Sequence, residues 1–160
     1  MLFRSGVRLN VTTEAELRQA YRDLAAQFRR RTPAGTLQGI LVQKQVHGVE
    51  LLMGLKRDPQ FGPVLVAGAG GIYTEVLRDV ARALVPVNRQ TAENLLKSLK
   101  IFPILQGVRG QAGVDLEALT EALVNLSRLA VDYPEIRELD LNPVVATPQG
   151  CWCVDCRMVL

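Results

Sequence analysis

Asp140-Leu-Asn142 sets a carboxylate and an amide oxygen two residues apart. On an extended strand that spacing puts both on one face. Asp155 follows beyond a Pro148-Gln-Gly150 turn, so a returning strand can carry it alongside. Two carboxylates and an amide oxygen are hard ligands of the kind that hold Mg²⁺ beside phosphates. The commoner use of Asp and Asn at strand ends is as turn or cap residues. A second candidate is Gly68-Ala-Gly70-Gly71, whose backbone amides can approach a phosphate closely or simply form a tight turn. It is neither a Walker loop nor a dinucleotide fingerprint, because no Gly-Lys-Ser/Thr follows and the glycine spacing differs. Glu75, just beyond, reads as a catalytic carboxylate or a plain surface acid. Gln43-Lys44-Gln45-Val46 and Glu50 offer polar groups where two strands meet, as a hinge or an ordinary edge.

Other chemistries find less support. Cys151, Cys153 and Cys156 fall in one short stretch, with no second cluster to complete a tetrahedral metal site. They read as free thiols on a strand in a reducing compartment. His47 sits in a polar turn and reads as exposed. No G-x-S-x-G sequence supports a serine nucleophile. Hydrophobic residues make up 48% and charged residues 22%, which excludes disorder as the main state. The net charge of +3 comes with only 5% aromatic residues, so the stacking elements of a nucleic-acid reader are missing. The longest apolar runs are too short to cross a bilayer, and no secretory signal is visible. The expected compartment is the cytoplasm, with neither membrane nor nucleic acid as partner.

These residues need elements to position them. Thr13-Glu-Ala-Glu16 is a capping box. Leu17, Tyr21, Leu24 and Phe28 follow at helical spacing, predicting an inward apolar stripe with the arginines toward water. Strands are expected over 39–46 and 49–56, joined by a tight His47-Gly48 link. A loop over 57–63 should stop helix and sheet alike, and a buried strand covers 64–67. Residues 75–87 fit either extended structure or a broken helix. Asn88 and Asp115 cap two helices, the second lined by Leu119, Leu123, Leu126 and Leu129. Strands over 139–146 and 151–159 form an antiparallel hairpin. Adjacent strand pairs with helices between them give an α+β fold with a mostly antiparallel sheet.

Gly39-Ile-Leu-Val-Gln43, Gly48-Val-Glu50, Arg57-Asp-Pro-Gln-Phe-Gly-Pro63, Gly70-Gly71 with Glu75, and Pro134-Glu-Ile-Arg-Glu-Leu-Asp-Leu-Asn-Pro143 occur in that order. In this the chain resembles the C-terminal part of the ATP-grasp domain of ADP-forming acyl-CoA synthetases, the acetate–CoA ligase type. It is more distantly similar to the succinyl-CoA synthetase beta subunit. The resemblance implies one partial ATP-grasp domain over 1–160. Residues 39–160 would be its nucleotide- and Mg²⁺-binding part, and 1–38 the remnant of a preceding strand–helix segment.

The same resemblance implies a set of roles. Gln43, Lys44, Gln45 and Val46 would flank the adenine of ATP or ADP, with Glu50 near the ribose. Asn142 and Asp155 would hold Mg²⁺ with Asp140 assisting. Gly70, Gly71 and Glu75 would lie toward the phosphates, Glu75 as the catalytic residue. Such enzymes pass a phosphoryl group between ATP and an acyl phosphate through phosphohistidine, and CoA captures the acyl group. Two departures bear on this. Met1-Leu-Phe-Arg-Ser5 replaces a His-Lys-Ser-like stretch ahead of Gly6-Val7. The upstream subdomain with its phosphate-binding lysine is then expected to be absent, the CoA-binding and phosphohistidine domain or subunit is the expected partner, and this chain should be inactive alone. Asp79-Val-Ala-Arg82-Ala83 carries its arginine one position early, which on a strand moves it to the other face. A contrasting reading is the non-catalytic, synthetase-like regulatory region of a protein lysine acetyltransferase.

Overall fold

The computed structural model describes residues 6–71, 78–108, 110 and 112–160. It divides into two compact units, Met1–Gln45 and Val46–Leu160.

In the first unit, Thr13 caps helix α1 (Glu14–Arg31) with the reciprocal bonds of a capping box. The Glu16 amide donates to Thr13 Oγ1 at 3.2 Å, and the Glu16 carboxylate accepts from the Thr13 amide at 3.1 Å. The expected inward stripe is only half realised. Leu24 and Phe28 are half-buried and Tyr21 is exposed, while the buried positions are the small Ala20 and Ala25. The strand expected over 39–46 does not form. Among the described residues no neighbour pairs with it, and Leu41 and Val42 are exposed. A strand without a ladder leaves its peptide groups to water, and apolar alternation alone cannot supply one. The 39–45 segment is instead tied by a side chain. Gln45 Oε1 accepts from the Asn10 amide at 2.8 Å, and Gln45 Nε2 donates to Asn10 Oδ1 at 3.1 Å.

The second unit is built on a sheet of strands β1 (Val49–Asp58), β2 (Gly62–Ala69), β3 (Val80–Leu84), β4 (Glu138–Thr147), β5 (Gly150–Cys153) and β6 (Cys156–Val159). The order is β3-β2-β1-β4-β5, with β6 also paired to β4, and every pairing is antiparallel. The α+β, mostly antiparallel expectation holds. With no strand over 39–46, the His47-Gly48 link joins no hairpin, and β1 takes β2 and β4 as neighbours.

Residues 57–63 are a tight hairpin rather than a loop that ends the sheet, since Asp58 pairs with Gly62 and Arg57 with Pro63. Asp58 Oδ1 accepts from the Gln60 and Phe61 amides at 2.8 and 3.0 Å, and Gly62 takes the positive φ that the turn requires. Of the undecided 75–87 segment, 80–84 is strand β3, while 75–77 lie outside the described residues.

Three helices of this unit, α2 (Arg89–Lys97), α3 (Phe102–Gln106) and α4 (Leu116–Asp132), pack on one sheet face. Asn88 and Asp115 cap α2 and α4 as expected. Leu51, Met53 and Leu55 of β1, Leu65 and Ala67 of β2, and Leu119 and Leu123 of α4 form the centre of the core. Cross-strand partners share a face, so Leu52, Gly54, Val66, Arg82 and Asp140 turn to the opposite side, and none of them joins that core. The Arg57 guanidinium locks hairpin to helix. It donates to the carbonyls of Ile136 at 2.9 Å and Ala130 at 2.7 Å, the latter in the last turn of α4. Among the described residues no helix is long and apolar enough to cross a membrane.

Candidate functional site

The sheet face away from the helices carries the residues singled out at the C-terminal end. Asp140 and Asn142 are both exposed, on either side of the half-buried Leu141 and just after the buried Leu139. The β1–β4 register then slips: Leu51 pairs with Val144 and Met53 with Leu141. Asn142 and Pro143 therefore stand opposite the single Leu52, a β-bulge of the kind that re-aims a side chain. The returning chain breaks at the same level, between β5 and β6. There the Asn142 amide donates to the Asp155 carbonyl at 3.2 Å and the Val154 amide to the Pro143 carbonyl at 3.0 Å. Asp155 is thus brought alongside Asn142. Its Oδ1 accepts from the Cys156 amide at 2.9 Å, which orients the carboxylate.

This donor set suits a hard divalent cation. It offers oxygen ligands only, from two carboxylates and one amide, in an exposed position. Mg²⁺ is commonly held by one or two carboxylates with phosphates and water completing the shell. Among the described residues no group of three or more His, Cys, Asp or Glu side chains could hold a metal. The cysteines are free thiols. Burial pushes the Cys151 and Cys153 thiols up, with neighbouring acidic groups and thiols adding to the effect. Neither is primed as a nucleophile.

A second group gathers where β1 begins. The Gly70 amide donates to the Glu50 carbonyl at 2.9 Å, and the Ala69 amide to the Asp79 carbonyl at 2.9 Å. Both amides are committed to the sheet, which corrects the picture of a loop whose amides cradle a phosphate at these two positions. Gly70 is required by packing: a Cβ there would lie 2.7 Å from the Leu51 carbonyl carbon. Gly71 has φ +58°, and a Cβ on it would collide with the Glu50 carboxylate. Glu50, Gly70 and Gly71 are therefore one cluster, and Glu50 shares the face opposite α2, α3 and α4 with its cross-strand partner Val145.

Gln43, Lys44 and Gln45 are exposed in the first unit, and Val46 is half-buried at the start of the second. Glu75 lies outside the described residues. His47 is exposed, as expected.

One feature was missed at the level of sequence. The bulge at Asn142 was signalled by a proline inside a strand pattern. Arg82 pairs with Val66, while Ala81 and Ala83 pack on the core. The early arginine therefore turns to the face opposite α2, α3 and α4, the side that carries Asp140.

Comparison with known proteins accords with this architecture. The family described as the ATP-grasp domain matches residues 4–160. The chain is 43% identical over 156 residues to the ADP-forming acetate–CoA ligase I of Archaeoglobus fulgidus, covering 97% of this chain and 23% of that protein. It is 37% identical over 156 residues to the beta subunit of ADP-forming acetate–CoA ligase I of Pyrococcus furiosus, covering 97% of this chain and 67% of that subunit. Among solved structures, it is similar to acetyl-coenzyme A synthetase 1 of Candidatus Korarchaeum cryptofilum in complex with coenzyme A and Mg-AMPPCP. That likeness has a TM-score of 0.82 at 42% identity and covers 97% of this chain and 68% of that one. The chain thus spans about a quarter of the single-chain relative and two thirds of the separate beta subunit. It belongs to the ATP-grasp domain family, among relatives that are ADP-forming acyl-CoA synthetases.

Proposed function

We propose that this chain is the ATP- and Mg²⁺-binding portion of an ADP-forming acyl-CoA synthetase of the acetate–CoA ligase type. The observation that carries the reading is the bulged β4 strand, which presents Asp140 and Asn142 on the sheet face opposite α2, α3 and α4 with Asp155 alongside. In the proposed complex Asn142, Asp155 and Asp140 hold Mg²⁺, which when bound offsets the charge of the phosphate oxygens. Gln43, Lys44, Gln45 and Val46 flank adenine, and Glu50 accepts hydrogen bonds from the ribose hydroxyls. Gly70 and Gly71 keep the β1 end narrow enough for that approach, and Glu75 acts on the phosphoryl-transfer path. These assignments rest on family membership and on residue chemistry.

The phosphoryl group passes between ATP and an acyl phosphate through a histidine of a CoA-binding subunit or domain, and CoA then takes the acyl group. A partner of this kind is supported by the relatives that occur as separate beta subunits. Residues 1–160 alone are expected to form no acyl-CoA.

Calorimetric titration of Mg·ATP and Mg·ADP into the purified chain tests the reading. Saturable binding that disappears in Asn142→Ala/Asp155→Ala is expected. A folded chain that binds neither nucleotide, or a double variant that binds undiminished, would overturn it.

A further inference from the structure

One rung of the sheet runs straight across the face opposite α2, α3 and α4. Arg82 pairs with Val66, Val66 with Gly54, Gly54 with Asp140, and Asp140 with Arg157. Directly opposite residues of an antiparallel pair point to the same side, with Cα atoms about 5 Å apart. Arg157 is thus the immediate neighbour of Asp140, on the strand that follows Asp155. Both side chains are exposed. A cross-strand aspartate and arginine would ordinarily close on each other, yet among the described residues the ion pairs include neither. Two opposite charges held side by side, both turned outward, suit a ligand that carries both signs. A carboxylate can meet the cation of a metal-bound phosphate while a guanidinium meets the phosphate oxygens, often through two parallel hydrogen bonds.

We infer that Arg157 binds the terminal phosphate of the nucleotide whose metal ion Asp140 helps to hold. This deepens the proposed function and rests on it. Gly54, at the centre of the rung, leaves the floor beside Asp140 without a side chain. Val66, beyond it, adds an apolar surface. The phosphate end of a nucleoside diphosphate or triphosphate then lies over β4 and β6, with its charge shared between metal and guanidinium.

Titrations of ADP and of adenosine into the chain, Arg157→Gln and Arg157→Lys, with Mg²⁺ and with EDTA, test the inference. Arg157→Gln is expected to weaken ADP binding about ten-fold or more. It should do so with and without Mg²⁺, since the contact is to phosphate, and leave adenosine binding unchanged. Arg157→Lys should recover part of the loss. Equal weakening of ADP and adenosine would mark a structural role and overturn the inference, as would undiminished ADP binding. Absence of ADP binding by the unaltered chain would overturn the nucleotide reading itself and this inference with it. Retained thermal unfolding midpoints in both variants show that any loss is local.

Discussion

At the scale of single residues, the most informative side chain is one that does no chemistry. Arg57 opens the Arg57-Asp-Pro-Gln-Phe-Gly-Pro63 string, yet its guanidinium spends its donors on the carbonyls of Ile136 and Ala130. Those carbonyls lie at and beyond the end of α4, where a helix has no acceptor-satisfying amides of its own. Charged hydrogen bonds to such groups are worth about 1.5–3 kcal/mol, so Arg57→Ala should destabilise by about 2 kcal/mol. Arg57→Lys should recover little, because an ammonium cannot span the fork. Urea unfolding of the three proteins measures both. The motif was legible as a family mark, but its purpose was not. Nothing in the local sequence says which distant carbonyls an arginine will meet.

At the scale of elements, caps were readable and partners were not. Thr13, Asn88 and Asp115 cap the helices that their sequences announce, because capping is settled within a few residues. The strand expected over 39–46 failed because a strand is completed only by its neighbours. Pro143 hints at the bulge beside Asn142, but its position was not legible for the same reason, since it exists only relative to β1. Local determination also makes α1 sensitive to acid. Hydrogen bonds from the Thr12 amide and hydroxyl, then the Thr13 amide, hold the Glu16 carboxyl below its ordinary range. A carboxyl lowered on folding adds stability above its unfolded pKa and loses it as pH falls through the folded one. The first turn of α1 should therefore fray on acidification. Glu16→Gln should remove that pH dependence, as followed by the Cα chemical shifts of residues 14–17.

At the scale of the whole molecule, the second unit owes its site to its strand order. The candidate metal ligands come from β4 and from the break between β5 and β6, whereas Glu50 and Gly70 meet at the start of β1 and the end of β2. One sheet face therefore collects groups from both ends of the unit's sequence. The residue types were legible from spacing and resemblance, and the hairpin that brings Asp155 to Asn142 followed from the turn between them. The common face could not be read, because it depends on β1 lying between β2 and β4.

That central position of β1 also has a temporal meaning. β1 is made well before β4, the strand that covers one of its two edges. Closing so long a loop is slow, and the contact yields nothing until it is made. During synthesis the β1–β2 hairpin must wait with one edge bare, open to pairing with other chains. A chain stopped at residue 137 should remain unfolded or associate, and one continued through residue 160 should acquire protease resistance only after strands β4 to β6 are released. Pulse proteolysis of arrested chains of increasing length would show whether resistance arrives in that single late step. The later-made strands β4 to β6 would then be what both closes this sheet and completes the proposed phosphate site.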